Sequence, residues 1–185
     1  MAVDTAGIVQ AYRSTPRYAD KGSVLFRPDE TSAWQEARRF STSFVRGEHF
    51  RLQVRLLECG AEDDDAALVI IDAPGPTIAN ATLRVLRQKE KRVPLPVALA
   101  TASGVTSSVS WLVPSLLLDL PEGVMWFRGL LQGSTAEGAM PQTSESCVAL
   151  IDSDTSFLRS LEVAMPTPDD PGFRQRITFH EAHAR

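Results

Sequence analysis

The 185-residue sequence has little of several features that would point directly to a function. Cys59 and Cys147 are its only cysteines, too few for a metal cluster or a dense disulfide framework. The two thiols either pair across a long loop or stay apart as small buried hydrophobes, and both alternatives remain open. No apolar run approaches the ~20 residues needed to cross a bilayer. We therefore expect no transmembrane segment.

An excess of basic residues is also missing. The net charge is -4 and the isoelectric point is about 5.4, which argues against a nucleic-acid-binding protein. The first residues lack the basic-then-apolar layout of a secretory signal. Two alternatives follow for the location: a cytoplasmic protein, or an exported one whose leader does not form part of this sequence.

Catalytic and ligand-binding motifs are scarce. The sequence has no phosphate loop, no dinucleotide-binding fingerprint and no Gly-x-Ser-x-Gly elbow. His49 is a candidate general base, but a hydrolase would need the fold to bring a serine to it. His180 and His183 would lie on opposite faces of a strand, so we expect a terminal tail there and no zinc site. We expect no metal and no cofactor.

The acidic run of residues 62–65 lacks the glycine and the ligand spacing of a calcium loop. It is typical of a solvated turn. The composition, with 43% hydrophobic and 23% charged residues, predicts a folded domain. Its length fits one domain over residues 1–185.

The clearest pattern in the sequence is a strict alternation of apolar and polar residues from Phe50 to Leu56. It predicts a strand with one buried and one wet face. The short break before it, residues 46–49, predicts an antiparallel hairpin with the preceding segment 38–46. Similar patterns predict an N-terminal helix over residues 4–13 and further strands over 18–26, 68–71, 82–86, 124–131, 144–151, 157–163 and 174–179.

A helical insert interrupts this series of strands over residues 97 to about 118. Pro94 and Pro96 precede it, Gly104 predicts the end of its first helix, and serines 107, 108 and 110 are candidate caps for a second helix. Pro114 fits that second helix only within its first turn. The insert is strongly apolar.

Several segments, taken in order, are similar to bacterial envelope proteins of the LolA and LolB lipoprotein-carrier superfamily. They are IVQAY at 8–12, YADKG at 18–22, RFSTSFVR at 39–46, FRL at 50–52, ALATASGV at 98–105, VPSLLL at 113–118 and DSDTSFLR at 152–159. The resemblance implies an α+β fold in which an antiparallel half-barrel sheet curls around an N-terminal helix and a helical insert that plugs its concave face. It also implies an exported, periplasmic protein that holds acyl chains between sheet and helices.

The candidate ligand-binding residues are the apolar side chains expected to face this interior: Phe26, Phe44, Phe50, Leu52, Val54, Trp111, Leu116, Met125 and Phe127. Alternation alone does not separate a ligand cavity from a filled core, because both need an apolar inner face. We therefore carry three hypotheses: a non-enzymatic carrier or sensor of a lipid or other hydrophobic ligand, an envelope module with a filled core that meets a protein partner, and a hydrolase using a serine and His49. The lack of catalytic motifs favours binding over catalysis.

Overall fold

The computed structural model describes residues 5–29, 31–57, 67–75, 80–106, 109–133, 147–164, 169 and 172–184. Within these ranges the chain forms four helices and nine strands. The helices are α1 (Thr5–Ser14), α2 (Leu95–Thr106), α3 (Val109–Leu117) and α4 (Pro121–Gly133). The strands are β1 (Arg17–Arg27), β2 (Gln35–Val45), β3 (His49–Leu56), β4 (Ala67–Pro74), β5 (Asn80–Val85), β6 (Lys91–Pro94), β7 (Cys147–Ile151), β8 (Leu158–Ala164) and β9 (Arg174–Ala184).

All nine strands belong to one antiparallel sheet, in the order β6-β5-β4-β3-β2-β1-β9-β8-β7. Neighbours in space are neighbours in sequence, except that β9 returns to pair with β1. Among the described residues β6 and β7 each pair on one side only, so the sheet is curled but not closed. The expected α+β fold with a curled antiparallel sheet and an N-terminal helix is confirmed.

The β2–β3 hairpin sets the two faces of the sheet. Gly47 turns the chain with a φ of 77°, a conformation that glycine adopts without steric penalty. The register then places Phe44 opposite Phe50 and Phe40 opposite Val54. Because side chains alternate along a strand, one face of the hairpin is apolar and the other carries arginines and serines.

Gly22 in β1 allows a large side chain to cross the inner face. A Cβ at this position would lie 2.2 Å from the carbonyl oxygen of Thr178 and 2.4 Å from the Cζ atom of Phe40. The Phe40 ring therefore packs over the bare glycine backbone and meets the Phe179 ring edge to face, with 5.5 Å between centroids. The absence of a side chain at residue 22 lets β2 and β9 pack together across β1.

The helices cover the inner face of the sheet. α2 packs against β4, β5 and β6 near one edge, α4 packs against β7 at the other edge, and α3 lies against α1, α2 and α4. Buried residues from both ends of the sheet and from all four helices form one hydrophobic cluster. The sheet curls because it wraps this helical layer.

The prediction of a strand over residues 124–131 was wrong, because this segment lies in α4. The helical insert therefore starts at Leu95 and continues to Gly133, beyond the expected range of 97 to 118. A helix places Val124 and Phe127, three residues apart, on one buried face. Pro121 in the first turn and Glu122 after it are typical of a helix start.

Three smaller expectations were also wrong. α2 does not end at Gly104 but at Thr106. Pro114 lies in the interior of α3 and not in its first turn. His180 and His183 do not lie in a terminal tail, because β9 runs on to Ala184 and pairs with residues 18–21 of β1.

Some predictions fall on residues outside the described ranges: the acidic run 62–65, the serines at 107 and 108, and Cys59. Cys147 is a buried free thiol in β7. Burial raises the pKa of this thiol to about 11, so it is protonated at neutral pH.

Candidate functional site

The candidate site is the space between the inner face of the sheet and the helices. Phe44, Phe50, Leu52 and Val54 all face it and are 3% exposed or less. They lie side by side because β2 and β3 pair in the expected register. Phe26 is half-buried at the rim, where it packs against the cluster and stacks on Phe173 at 5.5 Å between ring centroids.

The helical side of the site contains two of the expected residues. Leu116 in α3 and Phe127 in α4 are fully buried in the same cluster. Met125 is 69% exposed, because the α4 helix turns it away from Phe127. Trp111 belongs to α3, but its side chain lies outside what the structure describes.

The helices α2 and α3 contain no ionisable side chain. Leu95, Ala98, Leu99 and Ala102 of α2 face the sheet and are at most 2% exposed. The opposite side of α2 is also apolar in part, since Val97 is 49% exposed. α2 therefore packs on the sheet through apolar side chains.

The described side chains between sheet and helices are close-packed. Phe50, Leu52, Val54, Leu99, Leu116 and Phe127 are each 0% exposed. The α3–α4 contact is equally tight, because a Cβ at Gly123 would lie 2.1 Å from the Cβ of Ser115. A ligand would enter this space only if the helices moved away from the sheet.

A buried polar network interrupts the apolar inner face beneath α1. The Asp20 carboxylate accepts a hydrogen bond from the Tyr18 hydroxyl at 2.9 Å and another from the Thr42 backbone N–H at 2.9 Å. Tyr12 of α1 accepts one from the Leu158 N–H at 3.2 Å, and its ring meets those of Tyr18 and Phe157. The Leu158–Tyr12 hydrogen bond fastens α1 to β8, and the Thr42–Asp20 hydrogen bond joins β2 to β1.

Burial raises the pKa values of the ionisable groups in this network. The pKa of Asp20 is raised from 3.8 to about 7, because removal from water penalises its charged form more than the Thr42 and Tyr18 hydrogen bonds favour it. Burial also raises the pKa of Tyr12 and that of Tyr18 far above their ordinary values. The carboxyl of Asp20 therefore changes charge near neutral pH, in the interior of the protein.

Tyr12 and Asp20 were not among the candidate site residues predicted from the sequence. They lie in the segments 8–12 and 18–22, which were cited only for the family resemblance. The place of Asp20 in the alternation, two residues after Tyr18 and two before Gly22, puts it on the inner face. That periodicity was the pattern that could have identified it.

The structure places a serine and a carboxylate beside His49, on the outer face of the sheet. The Ser43 Oγ lies 3.4 Å from His49 Nδ1, and Asp72 Oδ1 lies 3.7 Å from His49 Nε2. Asp72 also accepts a hydrogen bond from Arg51 at 2.8 Å. Ser43 belongs to a strand paired on both sides, so its backbone amide serves the sheet and does not form an oxyanion hole. The side chains of Ser43, His49 and Asp72 are therefore close to one another on this face.

No protein-family model matches the sequence, and no curated protein matches it either. Among solved structures, the chain is similar to a LolA superfamily protein from Nitrosomonas europaea, with 8% identity and a TM-score of 0.38, over 100% of this chain and 94% of that chain. It is also similar to a domain described as an outer membrane lipoprotein-sorting protein from Vibrio parahaemolyticus, with 7% identity, a TM-score of 0.34, and 98% and 91% of the chains covered. Neither similarity assigns a ligand or a residue role to this chain.

Proposed function

We propose that this protein is a non-enzymatic carrier or sensor that holds a lipid acyl chain or another hydrophobic ligand between the sheet and the helices. The observation that carries the proposal is the helical layer itself. α2 and α3 have no ionisable side chain and face an inner sheet surface lined by Phe44, Phe50 and Leu52. Both walls of the interface are therefore apolar.

The free energies involved are compatible with a ligand taking the place of the helices against the sheet. An inserted acyl chain would replace contacts that the helices lose when they move away from the sheet. Each methylene removed from water contributes about 0.8 kcal/mol, so a chain of about ten or more methylenes supplies on the order of 8 kcal/mol. Separating a short helix that buries two leucines and two alanines, as α2 does, costs a comparable amount. The candidate residues Phe44, Phe50, Leu52, Val54, Leu116 and Phe127 would line the opened site, with Phe26 at its rim.

The test combines native mass spectrometry of gently purified protein with titration of a fluorescent long-chain fatty acid. Ala98→Leu adds volume on the side of α2 that faces the sheet, and Ala100→Leu makes the same change on its exposed side. We expect saturable binding that Ala98→Leu weakens about tenfold, through overpacking, and that Ala100→Leu leaves unchanged. Circular dichroism checks that both variants fold. No adduct together with no saturable binding would overturn the proposal.

A second candidate function follows from the close packing of the interior. A protein whose core is permanently filled would act as an envelope interaction module, with the outer sheet face meeting a protein partner. The observation in its favour is the close packing of six interior residues, which belong to one cluster and are each at most 3% exposed: Phe44, Phe50, Leu52, Val54, Leu116 and Phe127. Capture of one defined partner by ligand-free protein, with no fatty-acid binding, would favour this function over the carrier.

We further propose that the protein is exported to the periplasm, where both functions would operate. No helix among the described residues is long and apolar enough to span a membrane. Fractionation of cells that express the complete natural gene tests export, and recovery in the cytoplasmic fraction alone would contradict it.

A further inference from the structure

Arg38 is a positively charged residue on the apolar inner face of the sheet. Its place follows from strand register, because residues directly opposite each other on neighbouring strands have their side chains on the same face. Its partners are Val24 of β1, which is fully buried on the inner face, and Leu56 of β3. The row of paired residues crosses six strands, and Arg38 is its only ionisable member: Ala149, Leu161, Ile177, Val24, Arg38 and Leu56.

The Arg38 side chain has no anionic partner in the part of the chain that the structure describes. Its Nε atom is buried and makes no hydrogen bond to a described residue. Its guanidinium lies 5.6 Å from the centroid of the Phe26 ring, a contact that does not satisfy its N–H donors. Removal from water lowers the pKa of Arg38 below its usual range. The guanidinium nevertheless stays charged in a protein.

Strands β1, β2 and β3 contain two carboxylates, and neither pairs with Arg38. Glu36 lies on the outer face, where it accepts a hydrogen bond from Arg39 at 3.0 Å. Asp20 lies on the inner face opposite Thr42 and is bonded to the Thr42 backbone. Thr42 is four residues from Arg38, about 13 Å along β2. The charge of Arg38 is therefore not balanced by these three strands.

Arg38 lies at one end of the proposed ligand site. Phe44 is six residues further along β2, about 20 Å away, and it is 3% exposed. At the Arg38 end the structure is more open, since Phe26 and Arg38 are only half-buried and Leu56 is 38% exposed. An acyl chain laid along β2 would therefore have its tail among buried aromatic rings and its head group beside Arg38, near solvent.

We propose that the ligand of the interior site is an acyl chain with an anionic head group, and that Arg38 binds this head group. The inference rests on the proposed carrier or sensor function and specifies its ligand. A carboxylate or a phosphate can accept two parallel hydrogen bonds from the Nε and one Nη of a guanidinium. Such a head group satisfies the buried Nε and supplies the negative charge that the inner face lacks at this point.

Dodecanoate, dodecyl phosphate and dodecanol are the probes, because they share one chain length and differ in the head group. Isothermal titration calorimetry on the full chain, at ligand concentrations below micelle formation, compares their affinities. We expect at least one of the two anionic probes to bind about tenfold more tightly than dodecanol, since a hydrogen bond to a charged group is stronger than one between neutral groups. The tighter of dodecanoate and dodecyl phosphate distinguishes a fatty acid from a phospholipid as the source of the head group.

Arg38→Gln removes the charge and keeps a polar side chain. Arg39→Gln is the matched control, since it makes the same change at the next residue, which is exposed on the outer face and pairs with Glu36. We expect Arg38→Gln to abolish the preference for an anionic head group and to leave dodecanol binding unchanged. Arg39→Gln should alter neither. Arg38→Lys should keep part of the preference, because it keeps the charge but loses the fork of donors. Circular dichroism checks that the variants fold.

Equal affinities of the three probes for the parent protein would overturn the proposal, and this comparison depends on no variant. A preference that persists in Arg38→Gln, or that Arg39→Gln abolishes equally, would also overturn it. In each of these cases, saturable dodecanol binding would still support the interior site. No saturable binding of any probe would overturn the proposed carrier or sensor function and this inference with it.

Discussion

Asp20 shows how one residue can carry a pH response inside an apolar layer. Its carboxyl lies on the inner face of β1, 3% exposed, and bonds to Tyr18 and Thr42. Its pKa of about 7 lies above the unfolded value of 3.8. The stability that this group contributes is complete below pH 4 and is lost as pH rises through about 7, because the folded protein must then bury a charge.

We expect Asp20→Asn to flatten the pH dependence of unfolding. Between pH 5 and 8 the parent protein should lose about 2–3 kcal/mol relative to this variant. Urea unfolding at several pH values measures the difference. Tyr18→Phe serves as the comparison. It keeps the carboxyl but removes a hydrogen bond that favours its charged form, so the pH dependence should persist and extend to higher pH. A parent and an Asp20→Asn variant with parallel stability profiles would contradict the expectation.

At the scale of elements, cross-strand side chains on the outer face join β1, β8 and β9. Glu162 of β8 takes hydrogen bonds from Arg27 of β1 and from Arg174 and Arg176 of β9. Arg27 and Arg176 also lie 4.6 Å and 4.2 Å from the centroid of the Trp34 ring. These contacts connect the chain segment before the helical insert to the segment after it.

Replacing Glu162 by Gln keeps the shape of this side chain and removes its charge. The three arginines then lose the carboxylate that they share, and we expect a loss of about 1–3 kcal/mol in unfolding free energy. High salt should restore part of the loss. Glu181→Gln offers a comparison, because the Lys21–Glu181 pair is 3.7 Å long and exposed, so little change is expected. Denaturant unfolding at low and high salt measures both variants, and equal stability of the two would contradict the prediction.

The elements that local patterns predicted well were the strands with a clean alternation and the first helix. Phe50 to Leu56 alternates strictly, and its partner strand follows from a short turn, so both faces of the hairpin were predictable. The segment 124–131 was not, because Met125, Phe127 and Leu131 fit a strand as well as Val124 and Phe127 fit a helix. Short apolar runs fit the period of a helix and the period of a strand, so the local sequence does not decide between them. In this segment, packing against β7 and α3 decides for the helix.

At the scale of the whole molecule, the sheet and the helical layer are held by different forces. Strands β1, β2 and β3 are hydrogen-bonded on both sides, and β1 alone joins the two halves of the sheet. The apolar faces of α2 and α3, by contrast, are held to the rest of the molecule by side-chain packing. The layers are therefore expected to separate more readily than the central strands.

Hydrogen exchange followed by mass spectrometry tests this difference. We expect backbone amides of α2 and α3 to exchange faster than those of β1, β2 and β3, because the helices can open without unfolding the sheet. A bound long-chain fatty acid should change the exchange of α2 and α3 most. Helices and central strands that exchange together, at one slow rate, would indicate a single cooperative unit and a permanently closed interior.

The residues of the candidate site could be predicted from the sequence where they belong to strands with a clear alternation. Phe44, Phe50, Leu52 and Val54 follow from alternation, and they do line the inner face. Met125 was placed on the wrong side because its segment is helical. Asp20 was missed although the alternation of β1 places it on the inner face. The Glu162 cluster was missed because its arginines come from β1 and β9, and no local pattern brings these strands together with β8.

The amino-acid sequence by itself determined which side chains of each clear strand point inward, because alternation is a property of the extended backbone. It also determined that residues 95 to 118 are uncharged and suited to a buried layer. Only the tertiary structure decided that β9 continues past His180 to pair with β1, that residues 121–133 are helical, and that the described inner side chains are close-packed. Each of these depends on contacts between residues distant in sequence, whose free energy exists only once the whole sheet has assembled around its helices.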